Sequence, residues 1–317
     1  MRRYRFVQLD VFTDRPFGGN QLAVFPQAQG LTDAEMQAIA MEMNYSETTF
    51  VLPAVTAQAL CRVRIFTPAA ELPFAGHPVI GTTFALASEG AISPTRDATP
   101  ITLELGIGPL AVELLYEGDT LSFAWMRQPV PTFTPWQGDA ARLLASVGLV
   151  SGDLVADLPI ERGTAGAPFL YVPIRSLDAI GRAMPTPDLL DAMAAGASGA
   201  NGDNQHLGVF LFALDGADRA LAERGMDAHG RMFAPALGIN EDPATGSAAG
   251  PLGAYLVRHG RMTADAHGEA RIRLEQGMEM GRPSRIEIAV ATAGEAITGV
   301  RVGGASVLVA EGELLLG

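Results

Sequence analysis

A run of residues that occurs twice, once in each half, constrains this chain more than any other feature. Residues 64 to 86 read Arg-Ile-Phe-Thr-Pro-Ala-Ala-Glu-Leu-Pro-Phe-Ala-Gly-His-Pro-Val-Ile-Gly-Thr-Thr-Phe-Ala-Leu. Residues 231 to 256 open on Arg-Met-Phe-Ala-Pro and end on Glu-Asp-Pro-Ala-Thr-Gly-Ser-Ala-Ala-Gly-Pro-Leu-Gly-Ala-Tyr-Leu. Phe66 matches Phe233 and Pro68 matches Pro235 at an offset of 167, whereas Gly76 matches Gly246 and Leu86 matches Leu256 at an offset of 170. A period this long signals a duplicated domain and not a solenoid. Each copy places a glycine and a small polar or ionisable residue where a helix begins. Two helix N-termini could therefore face one ligand lying between the halves.

Length agrees with the duplication, since 317 residues suffice for two domains that each bury a core. With 22 Lys and Arg against 35 Asp and Glu, the formal charge is −13, and no basic run could follow a phosphate backbone. Nucleic acid is excluded as a partner on that ground. The opening residues alternate like a strand and lack the apolar core of a signal peptide, and no later segment is long enough to span a bilayer. A cytoplasmic protein without a membrane partner is expected. The one cysteine, Cys61, excludes an internal disulfide and a Cys-based zinc site, and fits plain core on a strand face with Val63 and Ile65.

Alternation over Tyr4 to Leu9 and over Ala59 to Ile65 predicts strands, and the first half reads as rich in sheet. A helix is predicted over 33 to 43, because Thr32 and Glu35 form a capping box and Leu31 with Met36 a hydrophobic staple. Met36, Ile39, Ala40 and Met43 cover one face only, which places that helix on an outer surface. The helix after Gly76 differs, for Val79 to Ser88 contains no charge and must be buried all round. His77 is the expected N-cap, Pro78 the first helical residue and Gly90 the stop. Residues 248 to 257 repeat the pattern, with Gly260 as the stop. Further strands are expected at 100 to 106, 109 to 116, 120 to 126, 207 to 213, 270 to 276, 284 to 291, 296 to 302 and 305 to 310. The expected class is α+β, with two pseudo-symmetric domains, each a barrel-like antiparallel-rich sheet around a central buried helix. The Pro-rich stretch from Gln128 to Pro135 is the candidate linker, dividing the chain into 1–128 and 129–317, and the last strand can return to the N-terminal half. Residues 196 to 204 read as a loop, and their glycines do not fit a dinucleotide site.

No P-loop, zincin or nucleophile-elbow pattern is present, and the five histidines show no metal-ligand spacing, so neither metal nor cofactor is expected. Three ionisable residues stand out by position. Glu47 begins an apolar strand, and His77 and Asp242 flank the two buried-helix starts. Taken singly, each also has a structural reading: Glu47 as a solvated carboxylate, His77 as a cap, Asp242 before Pro243 as a turn former, and Ser247 as a cap.

Taken together, the motifs resemble the PhzF-like family, named for an isomerase of phenazine biosynthesis, within the diaminopimelate-epimerase-like fold. The resemblance rests on Asp10-Val-Phe with Gly19-Asn20, Asn44-Tyr-Ser-Glu-Thr-Thr-Phe-Val, Phe66-Thr-Pro with Glu71-Leu-Pro-Phe-Ala-Gly-His-Pro, Glu241-Asp-Pro-Ala-Thr-Gly-Ser-Ala-Ala-Gly-Pro, and Gln276-Gly with Met280-Gly-Arg-Pro-Ser. Epimerases of that fold use two opposed cysteines, which a chain with one cysteine cannot supply. The resemblance implies Glu47 as general base and acid, with His77 and Asp242 catalytic beside it. It further implies that Gly76, Gly246 and Ser247 bind a small anionic substrate, trans-2,3-dihydro-3-hydroxyanthranilate for the family's namesake. Glu47 would take the proton from C3 and return it to C1, working as a homodimer. Gln21 departs from the proline often found after Gly-Asn. Two alternatives remain at this stage: an epimerase, racemase or isomerase of another hydroxy or amino acid, and a protein that only binds a metabolite.

Overall fold

The computed structural model describes residues 1–95, 98–190, 207–214 and 220–317. The predicted loop at 196 to 204 lies outside these residues. The fold is mixed α/β, with one large sheet and few helices. β1 (Arg2–Val11) pairs antiparallel with β2 (Asn20–Phe25), which runs parallel to β3 (Glu47–Leu52), itself antiparallel to β4 (Cys61–Phe66). β4 meets the short β5 (Glu71–Leu72) and runs parallel to β6 (Ala98–Leu105), which leads into a meander through β7 (Gly108–Glu117) and β8 (Thr120–Gln128).

The second half pairs its strands in the same order. After β9 (Thr132–Pro135), β10 (Glu161–Thr164) pairs antiparallel with β11 (Pro168–Pro173), which runs parallel to β12 (Gly208–Leu214), itself antiparallel to β13 (Ala228–Ala234). β13 meets β14 (Ile239–Asp242) and runs parallel to β15 (Glu269–Gln276), followed by a meander through β16 (Ser284–Ala293) and β17 (Ala296–Gly304). Two pairings tie the ends of these series together: β17 with β8, and β18 (Ser306–Leu316) with β1.

The helices include α1 (Asp33–Met43), α2 (Gly76–Ser88), α3 (Ala140–Ser146), α4 (Leu177–Gly181), α5 (Ala220–Glu223) and α6 (Gly246–Arg258). α1 has the predicted capping box, and its C-cap Asn44 takes the left-handed conformation at φ 53°. α2 and α6 are buried from Gly76 to Leu86 and from Gly246 to Leu256. Val79, Ile80, Phe84 and Leu86 of α2 belong to one apolar core with Leu252, Tyr255 and Leu256 of α6. Fully burying one large apolar side chain is worth about 1.5–3 kcal/mol. None of the described helices is long and apolar enough to cross a membrane.

Two local expectations are corrected. α2 begins one residue before His77, with extended Ala75 as its N-cap, so His77 is the second helical residue and Pro78 the third. Proline is tolerated there because first-turn N–H groups have no intrahelical acceptor. The Pro-rich stretch is also not entirely linker, since Thr132–Pro135 pairs with β10. β9 has no other partner among the described strands, so Pro135 sits on an edge where a missing donor is harmless.

The starts of α2 and α6 touch through their backbones. A Cβ placed on Gly76 would lie 2.4 Å from the Ser247 nitrogen and 2.5 Å from the Gly246 carbonyl carbon. Gly76→Ala is therefore expected to lose about 1–3 kcal/mol or more in urea denaturation, because neither obstacle is a side chain that can turn aside. Gly152→Ala, where a Cβ meets nothing within 4 Å, should stay within about 0.5 kcal/mol of wild type. Equal midpoints for the two variants would disprove the close approach.

Candidate active site

Glu47 is the first residue of β3, Asp242 the last of β14, and His77 and Ser247 the second residues of α2 and α6. With Gly76 and Gly246 they line a single cavity of about 320 Å³. All six residues singled out in the sequence are thus brought together. The solvated reading of Glu47 is overturned, for the residue is only 7% exposed. β3 lies between β2 and β4, with Leu22 opposite Glu47, so even its first residue is inside the sheet. Leu72, Phe74, Phe169, Met232, Leu237 and Ile239 supply apolar wall, and among the described residues neither Lys nor Arg lines the cavity.

Neither helix has a side-chain cap. Ala75 has nothing to cap with. Thr245 at the start of α6 has a hydroxyl, but it donates to Asp242 Oδ2 at 2.5 Å. Gln276 enforces that direction: its Nε2 donates to Thr245 Oγ1 at 3.0 Å and to the Asp242 carbonyl at 2.7 Å, while its Oε1 accepts from the Thr245 amide at 3.0 Å. First-turn amides at Gly76, His77, Gly246 and Ser247 are left for another acceptor. Two helix dipoles converge on the same spot and favour an anion there.

The two carboxyls of the cavity are treated unequally. Asp242 accepts from Thr245, from Asn20 Nδ2 at 2.7 Å and from Ser46. Burial pushes its pKa up to about 6 against the pull of those donors. Neighbouring Glu241, which pushes the same way, is held by Arg231 through two contacts of 2.8 Å. Glu47 Oε2 has no hydrogen-bond partner, and nor does His77 Nε2, which lies 3.4 Å away. Burial, and then the charge of Asp242, raise Glu47 well above the usual carboxylate range. Burial depresses His77 to about 3, so its ring is neutral at physiological pH.

The sequence reading missed Asn20, Thr245 and Gln276 as site residues. Asn20 and Gln276 stand in motifs that carried the resemblance, but nothing in a linear chain shows that Asn20 reaches residue 242. Phe12 was missed too: it is fully buried at φ 66°, with its ring against Gly246. Cys61 is plain core, its thiol pushed up to about 12 by burial.

The sequence profile of a family described as phenazine biosynthesis-like protein matches residues 9–312. The chain belongs to the PhzF family. Its relatives include a trans-2,3-dihydro-3-hydroxyanthranilate isomerase of Pseudomonas fluorescens, 37% identical over 99% of this chain and 100% of that protein. An uncharacterized isomerase of Clostridium acetobutylicum is 33% identical over 100% and 99%. Among solved structures, the PhzF-family phenazine biosynthesis protein of Bacillus anthracis superposes with a TM-score of 0.84 at 30% identity, covering 100% of both chains. This PhzF-family chain is an isomerase.

An unpartnered buried carboxyl makes a stability prediction. Free in the unfolded chain, Glu47 titrates near 4.5; folded, it titrates higher. Below the first value both states hold the proton, and above it stability is lost as pH rises toward the second. Glu47→Gln has no such loss. The variant is expected to be more stable than wild type by about 1–3 kcal/mol near pH 8, with the gain vanishing near pH 4. Urea midpoints at both pH values measure it, and a variant no more stable at the higher pH would contradict the account.

Proposed function

We propose that the chain is an isomerase of the phenazine-biosynthesis type, in which Glu47 carries a proton between two carbons of a small carboxylate substrate. One observation carries the reading: a buried glutamate oxygen without a partner shares an apolar cavity with the uncapped starts of two helices. The relatives named as trans-2,3-dihydro-3-hydroxyanthranilate isomerases make that compound the first candidate. Its carboxylate would take the amides of Gly76, His77, Gly246 and Ser247. Asp242, held by its donors, would orient the amino or hydroxyl group, and His77 would stand beside the transferred proton.

The same proposal divides the chain into lobes of residues 1–128 and 129–317, each a barrel-like sheet around α2 or α6. β18, which pairs with β1, would be counted with the first lobe. It also includes a homodimer in the cytosol.

A single carboxyl can serve both ends of the transfer because it is acid in one half-reaction and base in the other. General acid/base action of this kind contributes roughly 10²–10⁴ in rate. Glu47→Gln should therefore lose roughly that factor in turnover of trans-2,3-dihydro-3-hydroxyanthranilate while calorimetry still detects binding. Turnover at the wild-type rate would remove Glu47 from the chemistry.

A further inference from the structure

Gln128 is the last residue of β8, yet its side chain reaches α6. Its Nε2 donates to the Gly246 carbonyl at 2.9 Å. That oxygen can only accept, which fixes the amide with its nitrogen on this side. The other end of the amide, Oε1, is buried and has no hydrogen-bond partner. It lies over the backbone of Gly250, where a Cβ would come within 1.8 Å of it. The repeat's offset of 170 sets Gly250 against Ile80, a fully buried branched side chain of α2. Only α6 has an opening for such an amide.

Stability does not account for this arrangement. A carbonyl in the first turn of a helix is already placed to accept from the amide four residues on, so Gly246 has no need of a second donor. A buried oxygen without a partner costs free energy that an apolar side chain of the same length would avoid. What the bond does is hold one peptide. The C=O and N–H of a trans peptide point in opposite directions. Helical N–H groups point toward the N-terminus, so pinning the Gly246 carbonyl aims the Ser247 N–H out of the start of α6, where both residues line the cavity. Ser247 is among the first-turn amides that lack an intrahelical acceptor. A hydrogen bond at the carbonyl also polarises the peptide and makes its N–H a stronger donor.

We propose that Gln128 is a positioning residue for the substrate's carboxylate, pinning and polarising the Gly246–Ser247 peptide so that the Ser247 N–H is held toward the anion. The proposal rests on the carboxylate placement proposed above. Gln128 does not itself line the cavity and acts only through that peptide. The two helix starts are thereby unequal, with α6 presenting the donor that is braced from behind.

Calorimetry with two probes tests this. Anthranilate carries a carboxylate and anthranilamide a neutral amide on the same aromatic ring, and neither has an alkene to isomerise. Wild type should bind anthranilate more tightly. Gln128→Met, of similar length but without a donor, should weaken anthranilate by about 3–10-fold, as the loss of one hydrogen bond does. Anthranilamide should change by no more than about twofold, because donation to a charged acceptor is the stronger interaction. Gly250→Ala should give the same selective loss with Gln128 intact, since the new Cβ displaces the end of a flexible side chain and disturbs little else. Added to Gln128→Met, it should weaken anthranilate no further. A merely structural role would weaken both probes alike, and that result overturns the proposal. So does unchanged anthranilate affinity in Gln128→Met, or a wild type that binds anthranilate no more tightly than anthranilamide. Binding needs no turnover, so these outcomes are separate from the isomerase reading, which the Glu47→Gln turnover decides.

Discussion

The contact on which the site depends is between two stretches of backbone. Gly76 and Gly246 open the two buried helices and meet with no space for a Cβ on Gly76. That approach brings the uncapped ends of α2 and α6 within reach of one small anion. It also decides what else is near. Glu47 and His77 arrive from the first half, and Asp242, Thr245 and Ser247 from the second, because the helices that follow β5 and β14 start at the same point. Phe12, held in a backbone conformation rare for a residue with a side chain, packs its ring against Gly246.

Around this contact the hydrogen bonds run in one direction. Gln276 turns the Thr245 hydroxyl toward Asp242, which removes the cap from α6 and supplies a donor to the carboxylate in the same act. Asn20 completes the hold on Asp242 from β2. One carboxyl is then satisfied and the other is not. A fold selected for stability alone would not leave Glu47 Oε2 and His77 Nε2 buried without partners, so the imbalance is an attribute of the site and not of the core.

Much of this was legible in the chain. The repeated motif marked both helix starts, the absence of charge from Val79 to Ser88 identified a helix buried all round, and the Thr32 and Glu35 spacing located α1. These features follow local rules of periodicity and capping. The cap at His77 was misplaced by two residues, because extended Ala75 serves without a side-chain bond and leaves no sequence signal. The burial of Glu47 could not be read either. A carboxylate at a strand end is ordinarily solvated, and only the strands flanking β3 change that.

The sequence by itself determined that one motif occurs twice, where the buried helices that follow it begin, and which ionisable groups stand near those beginnings. The tertiary structure alone decided that the two beginnings touch, that Asn20 reaches Asp242 across 222 residues of chain, and that Glu47 and His77 face each other unpartnered. The reason is physical. Periodicity and capping act over a few residues and are written in the chain, whereas burial and the sharing of a fixed number of hydrogens depend on which distant groups arrive at the same place.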